Sequence, residues 1–217
     1  EVAGSAFAPD VLSKMLKWAS DAENAHDVLE ALERIDPANL EQLTSLVGIA
    51  KLNEALAVWE ANQDNGDEEF WQSILHDHAY VISQVFAVPV VVVKDKAYVG
   101  GKGIENTGGN IVDYLCKTAT TNNALLVEIK TPVSKLVGGE YRTGVYSVGG
   151  DVVGGVLQVS SYRDSLVKEC RDLLNNSECE VDDAVEPPCL LIVGNSHQLE
   201  KSVQRKSFEL FRNGLKN

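Results

Sequence analysis

Leu125-Leu-Val-Glu-Ile-Lys-Thr131 is the stretch on which the reading of this chain turns. In a β-strand successive side chains point to opposite faces. Leu125, Val127 and Ile129 therefore face one way, and Leu126, Glu128 and Lys130 the other. Burying the first set against a helix leaves a carboxylate and an ammonium side by side near the C-terminal end of the strand. Such a pair on an otherwise apolar strand costs free energy unless both groups are used or paired. A cross-strand ion pair accounts for Glu128 and Lys130 when they are taken alone.

The neighbouring segments argue for more. Ile111-Val-Asp-Tyr-Leu115 puts Asp113 in the middle of a second β-like run, and the fourteen residues between it and Glu128 suit a hairpin that sets the two carboxylates side by side. Two carboxylates held together repel unless a cation intervenes, and oxygen donors favour a hard ion such as Mg²⁺ or Mn²⁺. Such an ion would activate water and neutralise charge on a scissile phosphate, with Lys130 placed to orient or deprotonate the water. Downstream, Gln158 and Tyr162 stand four apart, stacked on one face of a helix, with Arg163 beside them.

Taken in order, Asp113, Glu128-Ile-Lys130 and Gln158-x-x-x-Tyr162 resemble the PD-(D/E)xK nucleases, in particular the branch with a Q-x-x-x-Y helix. The run Glu68-x-x-Trp-Gln72, Glu128-Ile-Lys-Thr-Pro132, Glu140-Tyr-Arg142 and Gln158-Val-x-x-Tyr-Arg163 is similar to the nuclease domain of Shedu anti-phage defence proteins, over about residues 66–215. The resemblance implies a restriction-endonuclease-like core (order αβββαβ, a mixed sheet flanked by helices) and Mg²⁺-dependent cleavage or nicking of DNA. It further implies homo-oligomer formation and a role in immunity against phage. By the family pattern Asp113 and Glu128 bind metal, Lys130 is the catalytic lysine, and Gln158 and Tyr162 support them. Glu68 is the expected third metal ligand, because it continues the Trp71/Leu75/Ile82 face of its helix. Arg142 and Arg163 are expected to contact substrate. Val112 stands where the family name places a proline.

Around this core the chain is read as two parts, a helical N-terminal segment over residues 1–65 and an α/β nuclease domain over 66–217. Helical runs are expected from Val11 to Trp18, Ala25 to Ile35 and Leu40 to Trp59, ending at the polar Asn62–Asp67 turn. A helix from Glu68 to Val85 follows. Strands are then expected at Val88–Val93, Lys96–Gly100, Ile111–Thr118 and Leu125–Thr131, and a glycine-rich connection from Gly138 to Gly155. A helix from Val156 to Leu174, a strand from Cys189 to Val193 and a helix from Gln198 to Leu215 complete the order, which reads as a mixed α/β sheet protein.

Composition sets limits. The net charge of −13 is unusual for a DNA enzyme, but residues 1–67 hold 13 acids against 4 bases while residues 68–217 hold 19 against 15, so most of the excess lies outside the proposed domain. No apolar run is long enough to span a bilayer, and no basic region precedes an apolar run at the N-terminus, so a cytoplasmic location without membrane contact is expected. The four cysteines form no metal-binding spacing and are expected to be reduced thiols.

Several eye-catching features carry less. His76 and His78 lie about 200° apart on a helix and cannot share an ion. His197 reads as a helix-cap residue, Val99–Gly109 as a flexible turn, and the acidic stretch Glu178–Glu186 as a solvated loop. Glu68 also suits the N-terminal turn of a helix, where the dipole favours an acid. The competing functional reading is a nuclease-like fold used as a non-catalytic DNA-binding or assembly module.

Overall fold

Asp113 and Glu128 fall on neighbouring antiparallel strands in a computed structural model of the chain. The structure describes residues 36–86, 88–103, 105, 107–175 and 180–215, together with Lys17, residues 26–28, Glu30 and Arg34. Most of the two helical runs expected before residue 36, and Cys179, lie outside the described residues. The chain divides into two compact units, residues 1–50 and 51–217. In the first, the described part is mainly the opening half of helix α1 (Pro37–Asn62), which begins with Asp36 accepting from the Ala38 N–H and buries only Gly48.

The second unit is built on a four-stranded sheet in the order β1 (Val90–Tyr98), β2 (Ile111–Thr118), β3 (Ala124–Ile129), β6 (Cys189–Ile192). β1, β2 and β3 pair antiparallel, whereas β6 lies parallel to β3, so the sheet is mixed. The aliphatic sequence of β3 matches its place between two neighbours, where all six of its residues are buried. Leu125, Val127 and Ile129 pack with Trp71 and Ile82 from helices α2 (Glu68–Asp77) and α3 (Ala79–Ser83). Leu126 points the other way, into a cluster with Val159, Leu166 and Cys170 of helix α4 (Gly150–Asn175). The period-two reading of β3 therefore holds on both faces, and helices flank the sheet on each side.

β2 departs from strict alternation at the position that matters. Val112 and Leu115, three apart, both enter the α4-side cluster, while Tyr114 and Cys116 enter the opposite one. The slip falls at Asp113-Tyr114. It lets two successive residues turn toward α2.

Other elements correct the sequence reading. The helix expected from Glu68 to Val85 is broken at His78, whose φ of −111° and ψ of 37° are not helical, giving α2 and α3. The two short strands expected before residue 100 are one strand, β1, with an irregularity between Val92 and Lys94. The glycine-rich stretch after Gly138 is not a bare connection. It contains a hairpin of β4 (Val137–Arg142) and β5 (Val145–Val148), turned at Gly144, whose φ of 76° suits glycine. Its glycines hide the strand pattern, and contacts with helix α5 (Ser202–Gly214) supply what local propensity lacks: Ser207 Oγ accepts from the Tyr146 N–H, at 3.1 Å. α4 starts six residues earlier than expected, at Gly150.

The acidic loop, in its described part, is tied down rather than merely solvated. Lys117 Nζ lies 2.8 Å from Glu180, Asn122 donates to Asp182 at 2.8 Å, and the Ala124 N–H donates to the Asp183 carbonyl at 2.9 Å. His197 sits in a short 3₁₀ turn at Ser196–Gln198, its N–H donating to the Asn195 side chain that caps the turn. Cys116 and Cys189 are free thiols. Burial pushes Cys116 up to about 12 and Cys189 above its ordinary range, so neither has the character of a nucleophile. No helix among the described residues is long and apolar enough to cross a membrane.

Candidate active site

The C-terminal end of β3 gathers the polar residues. The antiparallel ladder of β2 and β3 runs from Lys117 opposite Ala124 to Tyr114 opposite Val127. One step further Asp113 reaches across with its side chain, and Oδ2 accepts from the Ile129 N–H at 2.7 Å. Its other oxygen, Oδ1, accepts from Gln72 Nε2 at 2.6 Å. Asp113 is thus held by β3 and by α2 at once.

Among the described residues Glu128 is the deepest charged group, only 2% exposed. Its Oε1 accepts from Lys130 Nζ at 3.1 Å and from Gln158 Nε2 at 2.6 Å, while Oε2 is buried without a partner. Gln158 Nε2 also donates to the Tyr162 hydroxyl, 2.9 Å away and one turn along α4, as the spacing of four predicts. Lys130, just beyond the end of β3, stands 3.5 Å from Glu68 Oε1 at the start of α2. Asp67 caps that helix by accepting from the Glu69 N–H, which fixes where Glu68 emerges.

The electrostatics follow from three carboxylates sharing one ammonium in a poorly solvated place. Burial, reinforced by the neighbouring Asp113, pushes Glu128 up to about 7 despite its bond to Lys130. Burial also raises Asp113, partly offset by the Ile129 N–H and by Lys130. For Lys130 burial works against the charge, but the Glu128 hydrogen bond and the surrounding acids outweigh it and hold the ammonium above its ordinary range. Among the described residues no three His, Cys, Asp or Glu side chains are grouped as a ready ion cage. The carboxylates are instead turned onto N–H donors. The donor set nonetheless suits a hard cation: the charge is net negative, all the acids offer oxygen, and Glu128 Oε2 is a buried acceptor with nothing to accept.

Beside this cluster lies an open cavity of about 510 Å³, lined by Glu68, Lys130, Thr131, Ser134, Gly154 and Gln158 among others. Of the residues singled out in the sequence, the structure brings Asp113, Glu128, Lys130, Glu68, Gln158 and Tyr162 together. It does not bring in the two arginines. Arg142 lies on β4 with its guanidinium 5.7 Å from the Tyr141 ring, Arg163 pairs with Asp164 at 3.7 Å, and neither lines the cavity. Arg163 turns out from α4 because it follows Tyr162 by about 100° around the helix. Gln72 joins the site through its bond to Asp113, beyond the residues expected from the sequence. Its spacing of four from Glu68, on the same helical face, is the signal that points to it.

Fold and site together define a mixed α/β protein in which a sheet end, a short helix and a long helix close around a buried acid–lysine cluster. The chain belongs to the Shedu family: residues 65–217 match the family described as "Shedu protein SduA, C-terminal". It is also 39% identical over 214 residues to the Shedu protein SduA of Bacillus cereus (strain B4264). That match takes in 96% of this chain and 56% of the relative, so the chain spans little more than half the length of the protein it resembles.

Proposed function

We propose that residues 66–217 form a PD-(D/E)xK-type nuclease domain with a restriction-endonuclease-like core, which cuts or nicks DNA with Mg²⁺ or Mn²⁺ in anti-phage defence. The observation that carries this reading is the state of Glu128: buried, held on one oxygen by Lys130 and Gln158, and bare on the other beside Asp113. Asp113 and Glu128, with Glu68, are the residues that would hold the ion. When bound, it supplies charge neutralisation and Lewis acidity at the scissile phosphodiester.

The chain's own residues have distinct tasks. Lys130 lies at the cavity wall between Glu68 and Glu128, where its ammonium can hold the attacking water and offset charge growing on the phosphate. Gln158 fixes the rotamer of Glu128, and Tyr162 fixes Gln158. Residues 1–65 form a separate helical segment in this reading, the protein assembles as a homo-oligomer, and it works in the cytoplasm. The test is cleavage of supercoiled plasmid with and without Mg²⁺ or Mn²⁺: Glu128→Ala and Lys130→Ala abolish it with the fold intact. Wild-type rates in both variants would discard the assignment.

A second reading has its own observation. Both Asp113 oxygens are already satisfied by protein N–H groups, and the chain is strongly acidic. A non-catalytic DNA-binding or assembly module would show this, and would bind DNA or a partner while taking up no divalent ion in calorimetry.

A further inference from the structure

Gln72 occupies a place that packing alone does not explain. It lies one helical turn after Glu68 on α2, so that the two side chains share a face: Glu68 reaches Lys130 and Gln72 reaches Asp113. Its amide nitrogen donates to Asp113 Oδ1 at 2.6 Å. Its backbone carbonyl accepts from the hydroxyl of Tyr114, the residue next to Asp113, so α2 and β2 are locked together at this point. The amide oxygen, by contrast, is buried and without a partner. Among the described residues the only buried side-chain acceptors left so are Gln72 Oε1 and Glu128 Oε2, both in this site. Leaving a buried acceptor unsatisfied costs stability, so a side chain kept in that state for the sake of one bond to Asp113 is retained for what the bond does there.

Resting on the nuclease reading above, we infer that Gln72 is a positioning residue that sets the orientation of the Asp113 carboxylate for cation binding, as Gln158 does for Glu128. The two carboxylates then have matching supports. Each is gripped on one oxygen by a glutamine amide at 2.6 Å, one glutamine from the helix on either face of the sheet. Asp113 Oδ2 is fixed independently by the Ile129 N–H, so the plane of the carboxylate is determined by two donors from different elements. Without the Gln72 donor the carboxylate can rotate about its remaining bond. Such supporting contacts tune the affinity of a metal site without touching the metal.

The test compares wild type with Gln72→Met, which keeps the length of the side chain but has no donor, and with Gln72→Asn, which keeps the amide one carbon short of Asp113. Mn²⁺ binding is followed by electron paramagnetic resonance, and urea unfolding is measured in EDTA. The expected result is an Mn²⁺ dissociation constant raised on the order of tenfold in both variants. The concentration of Mg²⁺ giving half-maximal plasmid cleavage rises in parallel, and the rate recovers at saturating Mg²⁺. A purely structural role would lower the urea midpoint and show no recovery with metal. If wild type binds Mn²⁺ and the folded variants bind it equally well, the role of Gln72 is overturned while the nuclease reading stands. If wild type takes up no Mn²⁺ at all, the cation reading fails and this role goes with it.

Discussion

Tyr162 accepts, one turn along α4, from the same Gln158 amide nitrogen that holds Glu128, so the phenol acts on the carboxylate only through the glutamine. Tyr162→Phe removes that hold and leaves the ring in place. A single such hydrogen bond is worth about 1 kcal/mol, so the cleavage rate should fall about fivefold, well short of the loss in Glu128→Ala. Single-turnover plasmid cleavage under saturating metal measures it, and a Phe variant as inactive as Glu128→Ala would place Tyr162 in direct contact with the reacting groups.

The Glu128 carboxyl, pushed up to about 7 by burial and by Asp113, has a definite sign of linkage in metal-free protein. The folded state binds its proton more tightly than the unfolded chain does. Ionisation therefore costs stability as pH rises from the ordinary carboxyl range to about 7, and the full cost is present above that. Glu128→Gln, which mimics the protonated form, should be more stable than wild type at pH 8 in EDTA, by on the order of 3 kcal/mol at most. The gap should close below about pH 4.5, where Glu128 is protonated in both states. Urea unfolding at the two pH values decides it, and a gap that does not depend on pH would contradict the assigned cause.

Gly149 joins the β4–β5 hairpin to α4 at the edge of the cavity, and a Cβ there would lie 1.7 Å from the Lys135 carbonyl oxygen. Backbone cannot yield by that much without moving the chain. Gly149→Ala should destabilise by roughly 3 kcal/mol and disturb the Val133–Ser134 wall, whereas Gly150→Ala, with open space around the added methyl, should be close to neutral. Thermal denaturation of the two variants makes the comparison. Equal effects would show that the hairpin base gives way freely.

Arg142 and Arg163 stand outside the cavity and contact Tyr141 and Asp164, so on the proposed nuclease reading neither is expected to touch the reacting groups. Alanine at either position should leave the cleavage rate at saturating DNA within about twofold, and should lower the slope of log affinity against log salt by about 1 only if that arginine meets a phosphate. A collapse of the saturated rate would mean that the bound complex draws an arginine into the site.

Much of this site was legible from residue order, because the relevant regularities are local. Alternation along Leu125–Lys130 separated the apolar face from Glu128, the fourteen-residue gap matched the β2–β3 hairpin, and the i,i+4 spacing of Gln158 and Tyr162 set their shared face. These follow from backbone repeats of two and 3.6 residues, which hold wherever the strand or helix comes to rest. Tertiary structure alone decided the remainder. The bond from Gln72 to Asp113 joins residues 41 apart, and the contact exists because Trp71 buries α2 against β3. The β4–β5 hairpin forms among glycines because α5 lies against it. The exclusion of Arg142 and Arg163 from the cavity likewise depends on how a hairpin and a helix face are set in space. Contacts between distant segments come from the packing of whole elements, and no repeat along the chain encodes them.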